Sequence, residues 1–189
     1  HDWPRSGWQI DAAFPRFWPL PPEVNRARDL GDSIMTAMVL VPFASNPVRF
    51  TDLSRLRVQE CERVVALRTE LARCGASVRE EGDTLQVSPS QLHGAEIETY
   101  HDHRMAMCFS ILGLKVSGLK IKNPACVKKT FPNFFQKLAA PDPDGLGVTL
   151  LDGVPMPWMV KWASPFPPFV ASADGAHFRC VDGHDYVDF

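Results

Sequence analysis
The chain has 189 residues, 45% of them hydrophobic and 22% charged, with a formal net charge of -2. That length suits one or two ordinary domains and a well-buried core, and the near-balanced charge gives no field to attract nucleic acid or an anionic membrane. No apolar run approaches the ~20 residues of a membrane-spanning helix, and five cysteines without a C-x-x-C pair speak against a disulfide scaffold or zinc ribbon, so a reducing, cytoplasmic setting is expected.

Prolines are uneven: five fall in residues 1–29, five in 30–140 and seven in 141–189. Regular structure is therefore expected in the middle, between irregular or linking ends. Because it starts at His1 rather than Met, the chain is read as a piece of a longer protein. Along the chain, a short strand is expected around 8–10. Gly31-Asp32-Ser33 then opens a helix through the apolar run to Leu40, with Asp32 or Ser33 as N-cap. A strand follows at 48–50. Over 59–73, Val64, Leu67 and Leu71 recur at helical spacing, and Cys74-Gly75 supplies the stop. Alternation at 77–80 and 84–87 around Glu81-Gly82-Asp83 signals a hairpin. A strand at 97–100, an apolar helix at 105–114, a strand at 119–122 and a helix at 131–139, capped by Thr130, complete the middle. Strands alternating with helices predict an α/β fold whose helices cover the sheet faces. Segments 59–100 and 101–139 each look like part of a repeating unit.

Charged residues gather where strands meet helices. Arg55 to Arg63 enters one helix, His101-Asp102-His103-Arg104 precedes a second, and Lys128-Lys129-Thr130 precedes a third. Helix N-termini in α/β folds favour anions. Arg63, Arg104 and Lys129 converging there would suit a carboxylate or phosphate, with Glu60 as candidate acid or base and Asp32 as a second. The plain readings stand beside this one. Glu60, Glu62 and Arg63 would form an ordinary solvated face; Asp102 would only cap a helix; His101 and His103 would ligate a metal only with a third ligand that the spacing does not show.

Three strings together resemble the 5-enolpyruvylshikimate-3-phosphate synthase family. They are Arg57-Val58-Gln59-Glu60-Cys61-Glu62-Arg63, Thr99-Tyr100-His101-Asp102-His103-Arg104-Met105-Ala106-Met107, and Lys129-Thr130-Phe131-Pro132-Asn133-Phe134-Phe135. Asp32, within Gly31-Asp32-Ser33-Ile34-Met35-Thr36, matches the family aspartate ahead of an apolar helix. The resemblance covers residues 6–139 and implies the C-terminal domain of an enolpyruvyl transferase, built from repeated β/α units as an inside-out α/β barrel. It implies transfer of the enolpyruvyl group of phosphoenolpyruvate to the 5-hydroxyl of shikimate 3-phosphate, without metal or organic cofactor. It further implies that Asp32 takes the hydroxyl proton, that Glu60 protonates and then deprotonates the methylene, and that Arg63 and Arg104 hold the carboxylate. Lys129 would contact phosphoenolpyruvate, and Asp102 and His103 would orient the site. Gln59 stands where many members have lysine and Arg55 where they often have asparagine, both positions that touch the shikimate phosphate. Sensitivity to the inhibitor glyphosate is left open there. The family's N-terminal domain is absent, so this chain alone is expected to have no significant activity.

Residues 1–140 are thus read as the partial transferase domain, 141–150 as a linker and 151–189 as a separate tail. The tail shows a two-strand, hairpin-like pattern with a turn near Asp182-Gly183 and resembles the N-terminal opening of class III pyridoxal-phosphate aminotransferases. The competing expectations are a non-catalytic α/β module with a dead cleft, and a parent protein that is chiefly an aminotransferase.

Overall fold
Two β-α-β crossovers organise the molecule. The computed structural model describes residues 9–139 and, in the tail, the strands Val170–Asp174, His177–Cys180 and Asp185–Val187. In the first crossover β1 (Glu23–Asn25) runs parallel to β2 (Val48–Thr51) with α1 (Ile34–Leu40) between them. In the second, β5 (Glu96–Ile97) pairs in parallel with β6 (Lys120–Ile121) across α4 (His103–Gly113). Between them lie α2 (Ser54–Arg57), α3 (Arg63–Arg73) and the hairpin of β3 (Ser77–Glu81) and β4 (Thr84–Ser88). The larger sheet has the order β1-β2-β4-β3. The architecture is mixed α/β, as expected from the alternation of elements.

The sheet is half-buried for a reason visible in its register. Val48 opposes Val87 and Phe50 opposes Leu85, all four buried, while Arg49 and Gln86 between them are exposed. These side chains share one core with Met35 and Met38 of α1, Leu67 and Leu71 of α3, and Phe109 and Leu112 of α4. Each such residue contributes roughly 1.5–3 kcal/mol when fully buried. Among the described residues, no helix is long and apolar enough to cross a membrane.

Several boundaries differ from expectation. The helix expected from 59 starts only at Arg63, because the Glu62 carboxylate accepts from the Val65 N–H at 2.7 Å and caps it there. Ser33 holds the N-cap position of α1 but makes no side-chain cap bond: a 3-10 turn, Gly31–Ser33, leads in, and the Ser33 hydroxyl donates back to the Leu30 carbonyl. The strand expected over 97–100 ends at Ile97, since Tyr100 and His101 take left-handed conformations and turn the chain. Thr130 closes the 3-10 helix Pro124–Lys129 instead of opening the last helix, and α5 (Phe134–Ala139) starts beyond Pro132. Residues Ile10–Phe17 form a 3-10 helix rather than a strand, with Trp8 outside the described residues. Short β1 and α2 carry too few residues for a periodic signal.

The chain divides into two compact units, Asp2–Pro132 and Asn133–Phe189. The second carries α5 and a three-stranded antiparallel sheet of β7 (Val170–Asp174), β8 (His177–Cys180) and β9 (Asp185–Val187), one strand more than the two-strand pattern. The 141–150 stretch and the Asp182-Gly183 turn lie outside the described residues.

Candidate active site
Four pieces of chain meet at the N-terminal ends of α3 and α4. The 58–62 loop brings Gln59 and Glu60; α3 begins with Arg63; α4 begins with His103 and Arg104 after its cap, Asp102. The 3-10 helix Pro124–Lys129 brings Lys129, and the Gly31–Ser33 turn brings Asp32. The loop is held from outside. Arg57 donates to Glu62 at 3.0 Å, to Glu80 at 2.8 Å and to the Gly82 carbonyl at 2.6 Å, tying the loop to the β3–β4 hairpin. Gly31, at φ +54, needs the freedom of glycine: a Cβ there would come within 2.7 Å of Ile10.

The centre is an alternating set of charges. Arg63, with only 3% of its side chain exposed, donates from Nε to Asp102 Oδ2 at 2.6 Å and from Nη2 to Oδ1 at 3.3 Å. Its Nη1 reaches Asp32 Oδ2 at 3.3 Å and also donates to the Gln59 amide oxygen. Asp102, fully buried, accepts from the Arg104 N–H at 2.8 Å as well, capping α4. Asp32 is gripped by Arg26, whose Nη2 and Nε lie 2.8 and 3.2 Å from Oδ1, while Gln59 Nε2 donates to Oδ2 at 3.2 Å and Arg104 Nε stands 3.6 Å from it. Burial pushes the Asp32 carboxyl up, but the Arg26 hydrogen bond, the Arg104 charge and the Gln59 amide together hold it below its ordinary value. Asp102 behaves alike: burial opposes its charge, and the Arg63 guanidinium outweighs burial.

Glu60 forms the second focus. Its Oε2 accepts from Lys129 Nζ at 2.5 Å and lies 3.1 Å from His103 Nδ1, which is itself 3.9 Å from Asp102. Burial acts to raise the Glu60 carboxyl, yet Lys129 and His103 prevail and its pKa is lowered. Beside Asp102, the Cys61 thiol is pushed up to about 12 by burial and by that carboxylate, so it is no nucleophile.

The structure thus gathers Asp32, Gln59, Glu60, Arg63, Asp102, His103, Arg104 and Lys129, and the solvated-face alternative does not describe Arg63. Arg55 stands apart, exposed on α2. His101 turns away to within 2.9 Å of the Asn123 side chain. Glu60, Asp102 and His103, not the two flanking histidines, bring one potential ligand atom each to within 4.8 Å of one another. An ion there would have to displace Lys129 from Glu60 and compete with Arg63 for Asp102. Arg26 was not expected from sequence. It follows a three-residue strand in a stretch that reads as irregular, and only folding brings it to Asp32.

Comparison with known proteins places the chain in a family. Residues 16–138 match the family described as EPSP synthase (3-phosphoshikimate 1-carboxyvinyltransferase). A 3-phosphoshikimate 1-carboxyvinyltransferase of Nostoc punctiforme is 46% identical over 109 residues, covering 58% of this chain and 26% of the relative. One of Rhizobium etli is 43% identical over 150 residues, covering 76% of this chain and 34% of the relative. In structure, EPSP synthase from Acinetobacter baumannii superposes with a TM-score of 0.53 at 28% identity, over 62% of this chain and 27% of that one. The chain therefore spans about a quarter to a third of the length of these relatives. The match ends at residue 138 and adds nothing to the aminotransferase resemblance of the tail. By these matches and the charge cluster its three strings assemble, the chain belongs to the EPSP synthase family.

Proposed function
We propose that this chain supplies one wall of a 3-phosphoshikimate 1-carboxyvinyltransferase site, acting on phosphoenolpyruvate and shikimate 3-phosphate. The observation that carries the reading is Glu60 held between Lys129 and His103, next to an Asp32–Arg63–Arg104 cluster. Phosphoenolpyruvate is a small polyanion, and these cations suit it. Arg104 offers its carboxylate an open guanidinium, 39% exposed, whereas Arg63 is spent on Asp102, Asp32 and Gln59 and reaches the ligand only past Asp32. Lys129 would transfer from Glu60 to the incoming anion.

That exchange explains how a carboxylate with a lowered pKa becomes an acid. The anion draws Lys129 away and adds like charge nearby, and both effects raise the Glu60 pKa until it carries a proton. Glu60 then delivers this proton to the methylene carbon while the acceptor's 5-hydroxyl oxygen bonds to the adjacent carbon and Asp32 takes the hydroxyl proton. In the resulting tetrahedral adduct, Glu60 removes a proton from the new methyl group, the carbon–carbon double bond re-forms and the C–O bond to phosphate breaks. Gln59 would face the shikimate phosphate in this reading, whereas Arg55, exposed on α2 and apart from the cluster, is assigned there by the resemblance alone; a cytoplasmic setting goes with the same reading. The remaining contacts would come from the part of the relatives that this chain does not span. The division into a transferase piece to residue 140, a linker and a separate tail belongs to the same reading, and the tail's aminotransferase resemblance rests on its own residues alone.

The test joins residues 9–139 to the complementary portion of a matched relative and measures phosphate release from both substrates, with the 189-residue chain alone as blank. Release is expected from the hybrid, and Glu60→Ala is expected to lower it by about 100-fold or more. A folded hybrid that releases phosphate equally well with and without Glu60 would overturn the assignment.

A further inference from the structure
A second buried network lies two turns further along α3. Glu70 follows Arg63 by seven residues, so both side chains leave the same face of the helix. Glu70 is fully buried, which disfavours a carboxylate unless donors surround it. Its Oε1 accepts from the Tyr100 hydroxyl at 2.9 Å and its Oε2 from the Glu98 N–H at 3.1 Å. Arg73 stands 3.1 Å from Oε2 and donates onward to the Glu96 carbonyl at 3.0 Å. Glu98 in turn accepts from the N–H groups of Thr99 and Tyr100.

The bonds from Glu70 and Glu98 converge on one short turn, in an awkward conformation. Tyr100 and His101 sit at φ 54 and 57, a region that side chains other than glycine avoid. Two such residues in succession persist only where the surroundings hold them. Directly after them come Asp102, His103 and Arg104. Asp102 is held by Arg63 and accepts from the Arg104 N–H.

We propose that Glu70, acting through the Tyr100 hydroxyl, is a positioning residue that fixes the 98–102 turn and so aims Asp102, His103 and Arg104 into the site. The consequence for the reaction rests on the reading of Arg104 as the contact for the phosphoenolpyruvate carboxylate. An apolar residue at position 70 would fill the same space but would leave the Tyr100 hydroxyl and the Glu98 N–H unheld.

Tyr100→Phe is the informative change, because it removes one hydrogen bond and keeps the ring. In the 189-residue chain, amide exchange at 98–104 is expected to quicken about tenfold, with the β3–β4 hairpin amides within about twofold of the parent. Unchanged exchange at the turn, or an equal rise everywhere, would overturn the proposal. In the hybrid transferase the same variant is expected to raise KM for phosphoenolpyruvate about tenfold and to leave KM for shikimate 3-phosphate within about twofold. Loss of activity with both KM values unchanged would show a merely structural role and sink the idea. Arg104→Ala runs alongside: if it leaves KM for phosphoenolpyruvate unmoved, the substrate reading fails, and the exchange result still judges the positioning of the turn.

Discussion

Asp102 serves two structural ends at once. It is fully buried, pairs with Arg63 through both oxygens and caps α4 through the Arg104 N–H. Removing it strands a buried guanidinium, the costly way to break such a pair. Asp102→Ala is therefore expected to lower stability by about 3–5 kcal/mol in urea unfolding; a loss under about 1 kcal/mol would mean that Arg63 finds another partner. Asp102 was legible in sequence as a cap and as a motif member; the structure shows the cap, together with the pair to Arg63. Arg63 was legible as a cation at a helix start, but its near-complete burial was not, because charge alone predicts exposure. Glu60 illustrates a different limit. Sequence gives the opposing pulls of burial and cations on its carboxyl, and only the contacts with Lys129 at 2.5 Å and His103 at 3.1 Å decide between them.

At the level of elements, the site depends on where helices stop and start. The Glu62 cap begins α3 at Arg63 and thereby leaves Gln59 and Glu60 in a loop free to face the cluster. Replacing it by Glu62→Ala also removes a partner of Arg57. We expect a loss of about 1 kcal/mol, read from denaturant midpoints; no change would show that Arg57 and the hairpin hold the loop unaided. Long periodic helices and the β3–β4 hairpin could be seen in sequence because their apolar spacing repeats. The three-residue β1 and four-residue α2 could not, since neither completes a period. The end of the 97–100 strand was hidden for another reason: two left-handed residues in a row contradict local preference and are imposed by Glu70 and Glu98.

At the scale of the first unit, five carboxylates respond to pH in the same sense. Asp29, Asp32, Glu60, Glu98 and Asp102 all have pKa values lowered on folding, from ordinary values of 3.8 for aspartate and 4.5 for glutamate. The unfolded chain therefore binds protons first as pH falls, and stability is lost in that direction. The melting temperature is expected to hold between about pH 7 and 5 and to drop steeply below about 4; a plateau that persists to pH 3 would contradict the paired state of these groups. One feature of the larger sheet bears on a different property. β3 forms an outer edge of that sheet among the described residues, and along it Arg79 and Glu81 stand exposed, paired at 3.5 Å. An edge with unpaired backbone groups invites a strand from a second molecule, and alternating charges discourage one by demanding desolvation and a matching sequence. Concentrated solutions of this chain should accordingly resist strand-to-strand aggregation along β3.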